Sequence, residues 1–360
     1  MSAPSVSVYV HFPYCIRKCD YCAFFSLACA GGGIPDLTGA YMRELDCYHG
    51  ILSGRKITSI YFGGGTPSLA DPRMFERIIE RLGGAPETTI EVNPATADEQ
   101  KLRDFAAAGI NRASIGMQSL DDGELAFLGR PHSALEAAEC LDAARRAFDN
   151  VSADFIYALP GQSIEKWGEA LNKIKSLGLS HYSLYQLSIE PKTRLFSRKI
   201  KSPDDKIAAG MLSLSRREMK DAAPQYEVSN YARPGFESRH NANYWTGGDY
   251  IGIGPAAAGR IRLDDKFYET QNPRSVEKWA ASKPAFKPLP RKCRAREMAM
   301  TGLRMNRGIS LDEFCANCGL ELWDVADRNR FLEYGIAGAK RARLRTKNLA
   351  FLDYILGRVL

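Results

Sequence analysis

Six times between Ser5 and Leu187 a short apolar run is followed by loop residues and then by a longer stretch with apolar side chains at helical spacing. The runs are Ser5 to Phe12, Ile57 to Phe62, Thr88 to Val92, Ile110 to Ile115, Val151 to Tyr157 and Tyr182 to Leu187. Helical patterns lie between them at Pro72 to Leu82, Ala97 to Ala107, Ala134 to Ala147 and Ile164 to Leu177. This alternation predicts βα units on a parallel sheet, an α/β fold. Six consecutive units predict a partial (β/α)6 barrel rather than a closed eight-stranded one.

After Pro191 the alternation weakens, and KPAFKPLP at 283–290 reads as a linker. Helical patterns at Arg294 to Met305, Ser310 to Cys315 and Leu322 to Tyr334 follow, then a short basic strand-like segment and a last apolar helix. They predict a small winged-helix-like α+β domain. The expected division is a barrel core over 1–190, an extension over 191–290 and the C-terminal domain over 291–360. A winged helix brings nucleic acid to mind, but the fold is used for many contacts and does not decide function.

Of the 360 residues, 45% are hydrophobic and 25% charged, as in an ordinary globular protein, and no window approaches the ~18 apolar residues of a membrane span. The N-terminus lacks a basic segment followed by a long apolar one, so the expectation is a cytoplasmic chain without a transmembrane segment. Nine cysteines, three of them within eight residues, suit metal ligation in a reducing compartment better than a disulfide framework. The net charge of +7 gathers late, in Lys287, Arg291, Lys292, Arg294 and Arg296 and in Lys340, Arg341, Arg343, Arg345 and Lys347. Solvated faces and an association surface explain these groups equally well; nucleic acid has only charge behind it, and peripheral membrane contact stays open.

The segment YVHFPYCIRKCDYCAFF ends the first strand and opens the loop after it, where α/β folds place their chemistry. Cys15, Cys19 and Cys22 have the spacing that wraps a [4Fe–4S] cluster while leaving one iron without a protein ligand. The alternatives are a zinc site with His11 as fourth ligand, or three unrelated buried thiols. Structural zinc usually draws on two knuckles, and the only other close pair is the distant Cys315 and Cys318.

A glycine-rich turn, YFGGGTPS at 61–68, follows the second strand, where backbone N–H and C=O groups can approach a ligand with no Cβ in the way. Further strand ends carry Glu91, Gln118, Arg130 and Asp154. Any one of them can cap a helix or bond a neighbour; four at successive strand ends point to a polar ligand.

With these motifs assembled, the chain resembles the coproporphyrinogen dehydrogenase-like branch of radical S-adenosylmethionine (SAM) proteins, and within it the heme chaperones. The resemblance runs nearly end to end, through YVHFPYC, the cysteine run, GGGTPS, EVNP, IGMQS, LGRPH, DFIYALPGQ, YQLSIEP, HNANYW and GDYIGIG. It implies a [4Fe–4S] cluster on Cys15, Cys19 and Cys22. It also implies Tyr9, Tyr21, Gly64, Gly65, Thr66, Glu91, Gln118, Arg130 and Asp154 around one or two SAM molecules, whose sulfonium is cleaved by an electron from the cluster.

Two features separate the branch's chaperones from the dehydrogenase that decarboxylates coproporphyrinogen III. The dehydrogenase pattern has a fourth cysteine two residues after the third, where this chain has Phe24, and a long arm before the cluster strand, where eight residues precede Tyr9 here. The expectation is therefore a protein that binds heme and passes it to recipient apoproteins, with the dehydrogenase as the alternative. The resemblance associates His240, Tyr244 and Trp245 of HNANYW with heme, the imidazole as iron ligand and the rings against the macrocycle. Hydrogen-bonded packing at a domain seam is the other reading of those three. Relatives commonly carry a histidine in the run where this chain reads GPAAAGR, with Ala258 in its place.

Overall fold

Val6, Val8, Val10 and Phe12 alternate with Ser7, Tyr9 and His11 along the first strand, β1 (Ser5–Phe12), and this alternation sets the architecture. In the computed structural model, which describes residues 4–29, 33–201 and 203–360, the apolar set packs against helices and the polar set lines a lumen. The chain leaves β1 through two short strands, β2 (Tyr14–Cys15) and β3 (Leu27–Ala28), paired in parallel. Then come β4 (Lys56–Gly64), β5 (Thr88–Val92), β6 (Arg112–Gln118), β7 (Asn150–Tyr157) and β8 (His181–Gln186), side by side in sequence order from β1 and all parallel.

The helices Thr38–Leu52, Pro72–Leu82, Glu99–Ala107, Ala134–Ala147 and Ile164–Ser176 connect them and cover the outer face. Tyr41, Leu45, Phe75, Ile78, Phe105, Leu141 and Trp167 pack there on the outward residues of the strands. A fully buried side chain of this kind contributes roughly 1.5–3 kcal/mol. Two helices match their sequence patterns residue for residue. The third starts at Glu99 because the Asp98 carboxylate accepts from the Lys101 N–H and caps it.

The extension completes the sheet at both ends. Strand β9 (Asn230–Ala232) adds antiparallel to β8, whereas β10 (Tyr250–Ile253) adds parallel to β1 and continues through antiparallel β11 (Ala258–Leu263), β12 (Lys266–Gln271) and β13 (Lys287–Leu289). The eleven-stranded sheet does not close, in keeping with the expected partial barrel. The segment read as a linker ends in a sheet edge, with Phe267 opposite Leu289 and Tyr268 opposite Pro288. Proline lacks a donor and is tolerated at such an edge. Glu44 ties the extension to the barrel: its buried carboxylate accepts from Trp279 Nε1 at 2.6 Å, Asn272 Nδ2 at 2.6 Å and Gly254 N at 2.8 Å.

The C-terminal residues build a separate core around Ala295, Met298, Phe314, Phe331 and Ile355. Strands β14 (Ile309–Ser310), β15 (Gly335–Ala337) and β16 (Arg341–Leu344), in the order β14-β16-β15, join the helices Arg291–Gly302, Leu311–Cys318 and Arg328–Tyr334 in a winged-helix-like α+β unit. Part of its basic charge is structural. Arg294 is buried and donates to the Gly247 carbonyl at 2.7 Å and that of Gly248 at 3.2 Å. Arg291 donates to the carbonyls of Cys318 and Asp265, and Arg345 to those of Glu333 and Leu332 at a helix C-terminus. Lys287, Lys292, Arg296, Lys340, Arg341, Arg343 and Lys347 stay exposed. No helix among the described residues is long and apolar enough to cross a membrane.

Candidate functional site

Beyond Phe12 the chain must turn away from the sheet, and the pairing of β2 with β3 folds the cysteine loop back on itself. Three further contacts fix the loop. His11 Nε2 donates to the Phe25 carbonyl at 2.8 Å, Lys18 Nζ donates to the Phe24 carbonyl at 3.0 Å, and the Asp20 N–H donates to the Leu128 carbonyl at 3.0 Å. The Asp20 carboxylate, between two of the cysteines, meets Arg198 at 3.1 Å and Arg194 at 3.5 Å. Cys15, Cys19 and Cys22 thereby line one cavity of about 430 Å³.

Burial pushes the Cys15 and Cys22 thiols up, so a metal centre must displace their protons to bind there. Arg130 Nη1 lies 3.4 Å from Cys19 Sγ and places a cation beside thiolate charge. The donor set fits a cluster held on three cysteines.

The glycine turn at the end of β4 is bound directly to this loop: Gly65 N donates to the Phe12 carbonyl and Thr66 N to the Tyr14 carbonyl, both at 2.7 Å. A Cβ on Gly65 would fall 2.4 Å from the Tyr14 oxygen, and one on Gly64, which has φ 112°, would fall 2.6 Å from the His11 ring. Only glycine permits that approach.

Glu91 closes the same turn. Its Oε2 accepts from Gly64 N at 3.2 Å and its Oε1 from the Tyr61 hydroxyl at 2.9 Å. Burial, with the charge of Asp154 nearby, pushes its carboxyl up to about 7. Asp154 accepts from Ser114 Oγ at 3.1 Å and is also raised by burial. Arg130 Nη2 donates to the Gly116 carbonyl at 2.9 Å, whereas its buried Nε has no partner. Gln118 sits at φ 67° where β6 ends, a left-handed conformation that L residues rarely adopt.

Eleven of the residues singled out in the sequence thus share one cavity: the three cysteines with Tyr21, Gly64, Gly65, Thr66, Glu91, Gln118, Arg130 and Asp154. Tyr9 does not line it. Its hydroxyl donates to His11 Nδ1 at 2.9 Å, one layer behind the glycine turn. His240, Tyr244 and Trp245 are not brought to the cavity either; they lie on a short helix, Arg239–Trp245. His240 is 1% exposed, with Nδ1 bonded to Ser59 Oγ at 2.9 Å and Nε2 to the Tyr244 hydroxyl at 3.0 Å. Trp245 lies under the Arg304 guanidinium, 4.5 Å from its ring centroid. Ala258 opens β11 opposite Gln271.

Sequence reasoning missed Tyr61, Ser114 and Asp20. The signal for the first two was a period of two: Ser59 and Tyr61 on β4, Glu91 on β5, Arg112 and Ser114 on β6, Ser152 and Asp154 on β7, and His181 and Ser183 on β8 alternate with the apolar residues of the outer face. Asp20 carried no such signal, because its partners stand far along the chain.

Comparison with known proteins bears on this geometry. The Radical SAM superfamily pattern matches residues 9–198 and the HemN C-terminal domain matches residues 289–344. The mouse "Radical S-adenosyl methionine domain-containing protein 1, mitochondrial" is 36% identical over 372 residues, covering 97% of this chain and 82% of that protein. The Escherichia coli "Heme chaperone HemW" is 36% identical over 285 residues, covering 75% of each.

The chain belongs to the radical SAM superfamily, in the family of HemW.

Membership implies a [4Fe–4S] cluster and SAM as cofactors, and the cavity walls carry thiols and polar groups whose chemistry fits both. A zebrafish relative of the same name as the mouse protein is 40% identical over 271 residues, which cover 72% of this chain and 61% of that protein. The solved structure of coproporphyrinogen III oxidase (HemN) from Escherichia coli superposes with a TM-score of 0.74 over 99% of this chain and 90% of that one. At 19% identity it speaks for the fold alone.

Proposed function

We propose that this protein binds heme and hands it to apoproteins, with a cluster on Cys15, Cys19 and Cys22 and SAM in the adjoining cavity. The observation that carries the reading is Phe24. It stands where the dehydrogenase pattern places a fourth cysteine, lines the cavity, and is 68% exposed at its mouth. Tyr185, 40% exposed, lines the same mouth, together with Arg17 and Lys18. Exposed rings beside cations complement a flat apolar macrocycle with two carboxylates. The relatives named HemW support the same choice.

Within the cavity the chain's own residues have separable tasks. Glu91 accepts from the ammonium or ribose hydroxyls of SAM, Arg130 pairs with its carboxylate through the unpartnered Nε edge, and Gly64 to Thr66 offer backbone groups at close range. Tyr21 and Gln118 wall the site, and Asp154 holds a second acceptor below it. Reductive cleavage of the sulfonium is the chemistry that cluster and SAM together supply. We place the barrel core in 1–190, the extension in 191–290 and the winged unit in 291–360. A reducing cytoplasm suits the nine cysteines, all of them free thiols.

The test is anaerobic. Cluster-reconstituted protein is titrated with heme and, in parallel, incubated with SAM, a reductant and coproporphyrinogen III. A stoichiometric heme spectrum with no vinyl product is expected; stoichiometric 5′-deoxyadenosine and protoporphyrinogen would establish the dehydrogenase instead.

A further inference from the structure

The helix Arg239–Trp245 does not sit at the cavity mouth. It enters the lumen from beneath and packs on β4. Glu87, just before β5, fixes its first turn: the buried carboxylate accepts from Arg239 N at 2.9 Å and His240 N at 3.0 Å. Asn243 Nδ2 donates to the Asp249 carbonyl at 3.0 Å, and the Tyr244 ring packs edge-on against Tyr250, with centroids 4.5 Å apart.

The hydrogen-bond network assigns the tautomer of His240. Ser59 Oγ donates to Ser7 Oγ at 2.9 Å, and the chain of hydroxyls runs on through Thr58 to the Val6 carbonyl. Ser59 has therefore spent its proton, and His240 Nδ1–H must donate to it. Nε2 is left with a lone pair, which accepts from the Tyr244 hydroxyl. An iron ligand would have to take that lone pair and strand a buried hydroxyl.

The face of the imidazole does something else. It stacks on the Tyr61 ring, with centroids 4.9 Å apart and planes 23° apart, while Tyr9 stacks on the same Tyr61 at 6.3 Å. Tyr9 and His240 are themselves neighbours, with centroids 6.4 Å apart, so Tyr61 is held in a three-ring cluster, and its hydroxyl holds Glu91 Oε1.

We infer that His240 is a positioning residue of the SAM site, holding Tyr61 and through it Glu91, and is not the ligand of heme iron. The inference rests on the SAM-binding reading above and replaces an open ligand motif with a lumen plug coupled to the cavity floor.

The experiment uses the full reconstituted chain with S-adenosylhomocysteine as the calorimetric probe and a heme titration read at the Soret band. The variants are Tyr61→Phe, His240→Ala, His240→Gln and the double substitution Tyr61→Phe with His240→Ala. Tyr61→Phe keeps the stacked ring and loses only the bond to Glu91, so probe affinity is expected to fall about tenfold, the loss of one hydrogen bond to a charged group. His240→Ala should lose a similar factor, and the double variant little more than either alone, because both act through Glu91. His240→Gln, which restores a donor to Ser59 but no ring, should recover thermal stability without recovering probe affinity. The Soret band should survive in every variant.

Independent, multiplying losses in the double variant, or full recovery of probe affinity by His240→Gln, would reduce His240 to a packing role and overturn the inference. Loss of the Soret band in both His240 variants with probe affinity intact would overturn it in favour of axial ligation. Wild-type protein that binds no probe at all sinks the SAM reading itself, a failure distinct from either.

Discussion

The Tyr61 hydroxyl donates to Glu91 Oε1 at 2.9 Å while the His240 imidazole lies stacked on the Tyr61 ring. One tyrosine thus joins the deepest polar layer of the barrel to the carboxylate beside the glycine turn. The polar lumen that makes this connection has consequences for stability and for ligand binding alike.

Four of the five histidines are buried, and burial holds all four below the usual imidazole range: His11 and His132 to about 4, His240 to about 3, and His181 well below it. The unfolded chain takes up protons near pH 6.5 that the folded chain refuses. Their contribution is complete above that pH and is lost as pH falls toward about 4, at about 1.4 kcal/mol per pH unit for each fully titrating histidine. Glu91, Asp154 and Glu44, all raised by burial, act in the opposite sense and offset part of the loss. Urea midpoints measured from pH 7.5 to 5 should fall below pH 6.5, and His181→Gln should flatten the slope.

Gly65→Ala tests the junction of the two loops. The added Cβ meets a backbone oxygen at 2.4 Å, so the glycine turn must lift off the cysteine loop. A cost of about 1–3 kcal/mol is expected, with reduced iron content after reconstitution. Gly50→Ala is the control: it lies in the helix Thr38–Leu52 with nothing within 4 Å, and should be neutral or stabilising.

Phe24→Ser tests the mouth. If the exposed ring covers a macrocycle, its removal forfeits roughly 1.5–3 kcal/mol of burial, about tenfold or more in heme affinity. An unchanged Soret titration would remove Phe24 from the heme surface.

The barrel was legible in the sequence because each strand's apolar residues must meet helices, and that demand leaves a period of two that can be counted. The cluster loop was legible because three thiols in eight residues have few other uses. The place of HNANYW was not. A seven-residue helix carrying His, Tyr and Trp reads equally well as a ligand set or as packing, and only the bonds from His240 to Ser59 and from its backbone to Glu87 separate the two. Both partners are more than 150 residues away. The edge strand within KPAFKPLP was hidden for a related reason: three prolines argue against a strand unless the partner shows that it is an edge.

Glu91 makes the cavity itself dependent on pH. Its carboxyl, raised to about 7, is charged above that value and neutral below it. Facing it are Tyr61 from β4, Asp154 from β7, Tyr9 from β1 and Tyr185 from β8, of which Asp154 raises it and the Tyr61 hydrogen bond lowers it. An acceptor for the ammonium or ribose of SAM must be ionised to act at full strength. S-adenosylhomocysteine affinity should therefore weaken as pH falls from 8 to 6, with a midpoint near 7. Glu91→Gln should bind weakly at all pH values and show no such midpoint, and Tyr61→Phe should move the midpoint upward because the bond that favours the charged carboxylate is gone. A wild-type profile that is flat across this range would take Glu91 out of the binding site.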